Sequence, residues 1–220
     1  MSKGKRGIPG NDLTAPDPIA RAAAAAALGV KGSADGPGIA RLEALVADED
    51  AGVRAAAIAA LTRLGAISQS VWMDAANDLD ADVRRRAAEV APETGLDVVE
   101  SLIRLLADED PLAAEAAAFA LGECSDDAVA GGATATLSAI VQNHADPLVR
   151  ESAVAALGSL ADPGGLEAVL AAMHDRPQIR RRAVLALAAF EGPEVEAALR
   201  AARDDRDWQV RQAAEDLMGP

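Results

Sequence analysis

The chain has 220 residues, half of them hydrophobic and a quarter charged, enough for one or two globular domains. Tyr is absent and Trp72, Phe119, Phe190 and Trp208 are the only aromatics, so a core must be built from Ala, Leu, Val and Ile, small side chains that suit helices in close approach. Thirty-five acidic residues against 21 basic ones give a net charge of −14, which repels phosphate backbones and counts against a general nucleic-acid binder; the single Cys excludes a disulfide framework or a four-thiolate zinc site.

Met1 to Thr14, with Gly4, Gly7, Pro9 and Gly10, hold too few apolar groups to order themselves and read as a flexible, basic tail; one domain is expected over residues 15–220. The apolar run Ala22 to Val30 is shorter than the ~18 residues of a membrane span. Asp12, Asp17 and Pro18 ahead of it, and the return of its pattern downstream, argue against a secretion signal, so a cytoplasmic protein is expected.

That pattern is a repeat. Its clearest copy runs Asp146-Pro147-Leu148-Val149-Arg150-Glu151-Ser152-Ala153-Val154-Ala155-Ala156-Leu157-Gly158; the others open at Asp17, Asp50, Asp80, Asp110, Arg176 and Asp207. Counted at the Arg position, the steps between positions 21 and 211 are 33, 30, 30, 36, 30 and 31 residues. An Asp carboxylate accepts from the free amides of a helix start, and Pro at the next position needs no amide partner, so a helix is predicted from each Asp. Val149, Ala153, Ala156, Leu157 and Leu160 then form one apolar stripe at helical period. A second stripe lies between copies, at Ile39 to Val46, Leu96 to Leu106, Leu137 to Val141, Leu166 to Leu170 and Val195 to Ala202. Each repeat is therefore two short antiparallel helices, about six and a half pairs in all. Such a pair cannot bury its apolar face alone, so neighbours must stack into an all-α superhelix.

Asp-Pro-x-Val-Arg-x-x-Ala-x-x-Ala-Leu-Gly at this spacing resembles the HEAT repeat, in the short variant of phycobilisome-lyase-like proteins, from about Ala15 to Met218. The resemblance implies a solenoid whose second helices line a concave, partner-binding side. It also implies a ladder of Arg to neighbouring Asp, broken where Ala114 replaces Arg. The 36-residue step holds Gly122 to Gly132, read as an enlarged loop without a role of its own, and Cys124 in it as an inert thiol.

In the implied geometry the concave face carries Arg85 and Arg86, then Glu115, then Glu151, then Arg181 and Arg182. These are the candidate partner-binding residues, with pairs Arg85–Glu115 and Arg181–Glu151 expected between stacked helices, and Ile58, Phe119 and Leu185 flanking them. His144 and His174 sit six residues ahead of Arg150 and Arg180, where other copies have Asp; with Asp146 and Asp175 they are the weak candidates for a metal. Enzymes of similar build supply the competing class. Deoxyhypusine hydroxylase uses His-Glu pairs, absent here, and the chain lacks the aromatics that a lyase's chromophore or a glycosylase's flipped base would stack on. The expected function is a noncatalytic adaptor without cofactor that binds a protein or peptide in the concave groove. The alternatives are a lyase-like or metal-dependent hydroxylase-like enzyme, and nucleic-acid contact through Arg85, Arg86, Arg181 and Arg182 with the basic tail.

Overall fold

The computed structural model describes residues 12–30 and 36–219. Most of the flexible tail expected over Met1 to Thr14 lies outside the described residues; at its end the Asp12 carboxylate accepts from the Thr14 amide and hydroxyl at 2.9 and 2.7 Å. Every regular element among the described residues is helical. The chain divides by its internal contacts into two compact units, Met1–Val98 and Val99–Pro220.

The first unit holds α1 (Pro18–Val30), α2 (Gly36–Leu45), α3 (Ala51–Arg63), α4 (Gln69–Ala76) and α5 (Ala81–Thr94). Helices α1, α3 and α5 stand side by side, and α2 and α4 form a second layer against α3 and α5. The second stripes tabulated from the sequence pass over α4, whose Trp72 is fully buried and donates its indole N–H to the Ala87 carbonyl at 2.9 Å.

The second unit repeats this plan with α6 (Val99–Leu105), α7 (Pro111–Glu123), α9 (Ala133–Asn143), α10 (Pro147–Leu160), α11 (Leu166–Ala172), α12 (Pro177–Leu187), α13 (Pro193–Ala202) and α14 (Trp208–Met218). Its first layer runs α7, α10, α12, α14, each packed on the next; α6, α9, α11 and α13 back them. The supposed loop over Gly122 to Gly132 is a correction: Gly122 still belongs to α7, and Ser125–Ala130 form the short helix α8, wedged against α7, α9 and α10. Each unit is thus a stack of helical hairpins, the solenoid arrangement expected of the repeat.

The helix starts follow the capping logic. Asp50, Asp80, Asp110, Asp146 and Asp207 each accept from an amide of the first turn, and Pro opens α7, α10 and α12. The Gly that closes the motif has a packing reason. A Cβ on Gly158 would lie 2.8 Å from Ala186 Cβ and 2.9 Å from its Cα, and one on Gly29 would lie 2.8 Å from Ala60 Cα, so α10 meets α12, and α1 meets α3, almost backbone to backbone. Gly158→Ala should therefore destabilise the second unit by about 1–3 kcal/mol through helix separation, outweighing the roughly 1 kcal/mol of helix propensity that Ala brings. Gly36→Ala, where the added Cβ meets nothing within 4 Å, should be neutral or slightly stabilising, both variants being compared with the parent by urea titration.

Candidate functional site

An arginine ladder ties neighbouring hairpins together, α10 to the turn before α12 among them. Each ladder Arg does two things at once. Through Nη1 it ties the turn ahead of its own helix: Arg54 to the carbonyls of Asp48 and Glu49 at 2.9 and 3.2 Å, Arg150 to those of His144 and Ala145 at 2.8 and 3.1 Å, and Arg180 to that of Asp175 at 2.8 Å. Through Nε and Nη2 it grips both carboxylate oxygens of an Asp one repeat further on, in the pairs Arg21–Asp48, Arg54–Asp78, Arg150–Asp175 and Arg180–Asp205, all between 2.7 and 2.9 Å. Two parallel charge-assisted bonds in a fixed fork hold neighbouring hairpins in register.

The ladder lacks a rung at Ala114, as the sequence implies, and the opposite member has changed too: His144 stands where Asp stands in the other turns. It keeps half of the Asp's work. His144 Nδ1 accepts from the Asp146 amide at 3.1 Å, as Asp48, Asp78, Asp108 and Asp205 accept from the amides of Asp50, Asp80, Asp110 and Asp207 at 2.8–3.0 Å. Of the other supposed metal ligands, Asp146 caps α10, Asp175 is held by Arg150, and His174 is exposed beside Met173 and Asp205. The side chains are employed separately, and no group of three or more His, Cys, Asp or Glu among the described residues is arranged around a common point. It is Asp175, one residue after His174, that takes the ladder position, because this turn is one residue shorter than the others.

Hydrogen bonds from their arginines hold the carboxyls of Asp48, Asp78, Asp175 and Asp205 below the ordinary Asp range. A carboxyl depressed in the folded state adds stability above its unfolded pKa of about 3.9 and loses it as pH falls through the lower folded value. Unfolding free energy should thus be flat in these groups above about pH 5 and fall steeply below about pH 4; a fall that already begins near neutrality, checked by thermal melts across pH, contradicts this. Burial, Asp127 and Glu123 push the Cys124 thiol up, away from the reactive thiolate.

On the face of α7, α10 and α12 turned away from the second layer lies a groove of about 460 Å³. Its relief comes from one repeat position, five residues after the ladder site, which is Phe119 in α7, Ala155 in α10 and Leu185 in α12. Two large side chains thus flank a small one, over a floor of Gly122, Ala156, Gly158 and Ala186. Phe119 is 57% exposed, Leu185 40%, and Leu148 at the edge 41%, three large apolar side chains gathered around one groove. A second groove continues from Leu185 to α14, lined by Arg181, Trp208, Gln212 and Asp216.

The six candidate residues fall on the two units. In the first, Arg85 pairs with Asp82 at 2.8 Å and Glu89 at 3.7 Å, and Arg86 with Glu89 at 2.6 Å, all within α5. In the second, Glu115 accepts from the Ser152 hydroxyl at 3.0 Å, and Glu151 meets Arg182 at 3.4 Å, not Arg181. Both contacts run from the position after the ladder site on one helix to the second position after it on the next; adjacent helices are offset by one residue, which a reading at equal register misses. Arg181 makes no ion pair among the described residues and lines the second groove. Of the flanking apolar residues, Phe119 and Leu185 are exposed, whereas Ile58 is 1% exposed and aligns with the buried Ala118, Val154 and Val184, one position off the groove. Sequence reasoning missed Leu148 and Glu123, both in the groove wall. Carboxylates neutralise three of the four arginines proposed for nucleic-acid contact.

Residues 134–219 match the profile of HEAT repeats. No curated protein matches the chain. Solved structures similar to it include an engineered protein with 20% identity and a TM-score of 0.50 (94% of this chain, 92% of that one) and a second with 19% identity and a TM-score of 0.59 (94% and 65%). A designed armadillo repeat protein in complex with the peptide (KR)4 is similar at 17% identity and a TM-score of 0.51 (94% and 95%). The fold is that of the armadillo and HEAT helical-repeat proteins; the match names HEAT repeats and not their short phycobilisome-lyase-like variant. No helix among the described residues is long and apolar enough to cross a membrane.

Proposed function

We propose that the chain is a noncatalytic, cytoplasmic adaptor that binds a segment of another protein across α7, α10 and α12. One observation carries this reading: Phe119, Leu148 and Leu185 remain exposed around a floor of Gly and Ala, on a helix face that a repeat protein can leave open because its core lies between the layers. Large apolar anchors at a small-residue floor let a partner backbone approach closely, with charged groups at the rim for register. Glu115, Glu151 and Arg182 belong to this surface with Arg181 beside it, and Arg85 and Arg86 offer a separate charged strip on the first unit. The similar designed protein that holds a peptide supports a peptide as the kind of partner, through fold alone.

Panning a random peptide library against the chain tests this. Enriched peptides should lose at least about tenfold in affinity for a Phe119→Ser, Leu185→Ser double variant. Both side chains are exposed, so the variant should keep the parent's helix content and melting temperature. Binders indifferent to the double variant contradict the proposal.

A further inference from the structure

Charge is unevenly placed along the groove. On the α7 side stand Glu115 and the exposed Glu123; on the α12 side stands Arg182, with Arg181 beside it in the adjoining groove. In the middle, Glu151 and Arg182 meet each other at 3.4 Å. That leaves Glu115, hydrogen-bonded only to a neutral hydroxyl, and Glu123 without an ion pair at one end, and Arg181 without an ion pair beyond the other, where Asp216 lines the same adjoining groove and accepts from Gln212. The groove thus keeps unpaired acid at its α7 end, with the apolar posts Phe119, Leu148 and Leu185 along it, and the unpaired Arg181 stands just beyond Leu185 on α12.

Resting on the docking reading above, we propose that the occupant is an extended peptide segment of opposite polarity: basic where it crosses α7, apolar over α10, and acidic where it crosses α12. Helices packed on Gly and Ala lie roughly 8–10 Å apart, so α7 to α12 is about 16–20 Å, and an extended chain at about 3.3 Å per residue covers that in five or six residues. Alternate side chains of such a strand point to one side, which places two or three apolar groups on the posts while the charged ends reach the poles. Complementary charge at both ends fixes the direction in which the segment lies and rejects segments of a single sign.

Three synthetic peptides decide it: Lys-Lys-Leu-Ser-Leu-Ser-Leu-Glu-Glu, the same core with Lys pairs at both ends, and the same core with Glu pairs at both ends. The mixed peptide should bind the full chain about tenfold more tightly than either single-sign peptide at low salt. Reversing one pole with Glu115→Lys, Glu123→Lys should move the preference to the peptide with Glu at both ends. Equal affinities that nonetheless vanish in Phe119→Ser, Leu185→Ser would overturn the polarity and leave the docking reading standing, as would a preference for Lys at both ends. Binding of none of the three at millimolar concentration, while library peptides still bind through Phe119, overturns the extended mode; concentration-dependent dimerisation abolished by Phe119→Ser assigns the groove to a second copy and overturns the proposal.

Discussion

Asp205→Ala is expected to lower the unfolding free energy by on the order of 3 kcal/mol, the low end for a broken buried pair because Asp205 keeps some contact with solvent. Its partner is the reason. Arg180 is 4% exposed and gives two charge-assisted bonds to Asp205, at 2.7 and 2.8 Å, and a third to the Asp175 carbonyl. Truncating Asp205 leaves a guanidinium enclosed beneath the α12–α14 junction with its charge unanswered, and also removes the acceptor for the Asp207 amide at the start of α14. Asp205→Asn keeps an acceptor for that amide but lacks the charge, so it should fall between wild type and Asp205→Ala in a urea titration. Equal stability of all three proteins would show that the ladder is ornamental to folding.

Leu157→Ala should cost about 2–5 kcal/mol, and Glu151→Ala less than about 1. The two residues share α10 and differ only in the direction they face. Leu157 is 1% exposed and packs under the short 3-10 turn Pro163–Gly165, where a Cβ on Gly165 would come within 3.0 Å of its Cδ2; it joins the first layer to the segment leading into α11. Truncation leaves a void that neighbouring Ala and Gly side chains are too small to refill. Glu151 lies on the open face with a single long contact to Arg182. A reversed order of the two costs would mean that the helix faces have been assigned the wrong way round.

What was legible in the sequence follows from periodicity. Asp caps, Pro at the first helical position and apolar stripes are local devices, so α7, α10 and α12 could be placed from their own residues, and the missing rung at Ala114 from comparison of copies. Features that depend on how one copy meets the next were less accessible. The one-residue offset between neighbouring helices turns Arg181–Glu151 into Arg182–Glu151, and Ile58, one repeat position ahead of that of Phe119 and Leu185, faces the core and not the open side. The shortened turn before Arg176 transfers the ladder position from His174 to Asp175. Helix α8 escaped notice because Ser125–Ala130 is too short, and too rich in acid, to show a stripe. The role of the motif Gly emerges only when Ala186 is seen 2.8 Å from where its Cβ would be. Leu148 and Glu123 join the groove through packing of separate repeats, which no single copy encodes.

The most direct test of the account is a map of where a library-selected peptide touches the chain. With leucine methyl groups labelled, titration should shift Leu148 and Leu185, while Leu170 and Leu199, on α11 and α13 of the second layer, stay in place. Shifts confined to Leu170 and Leu199, with Leu148 and Leu185 unmoved, would put the binding surface on the other layer and contradict the reading of α7, α10 and α12 as the docking face.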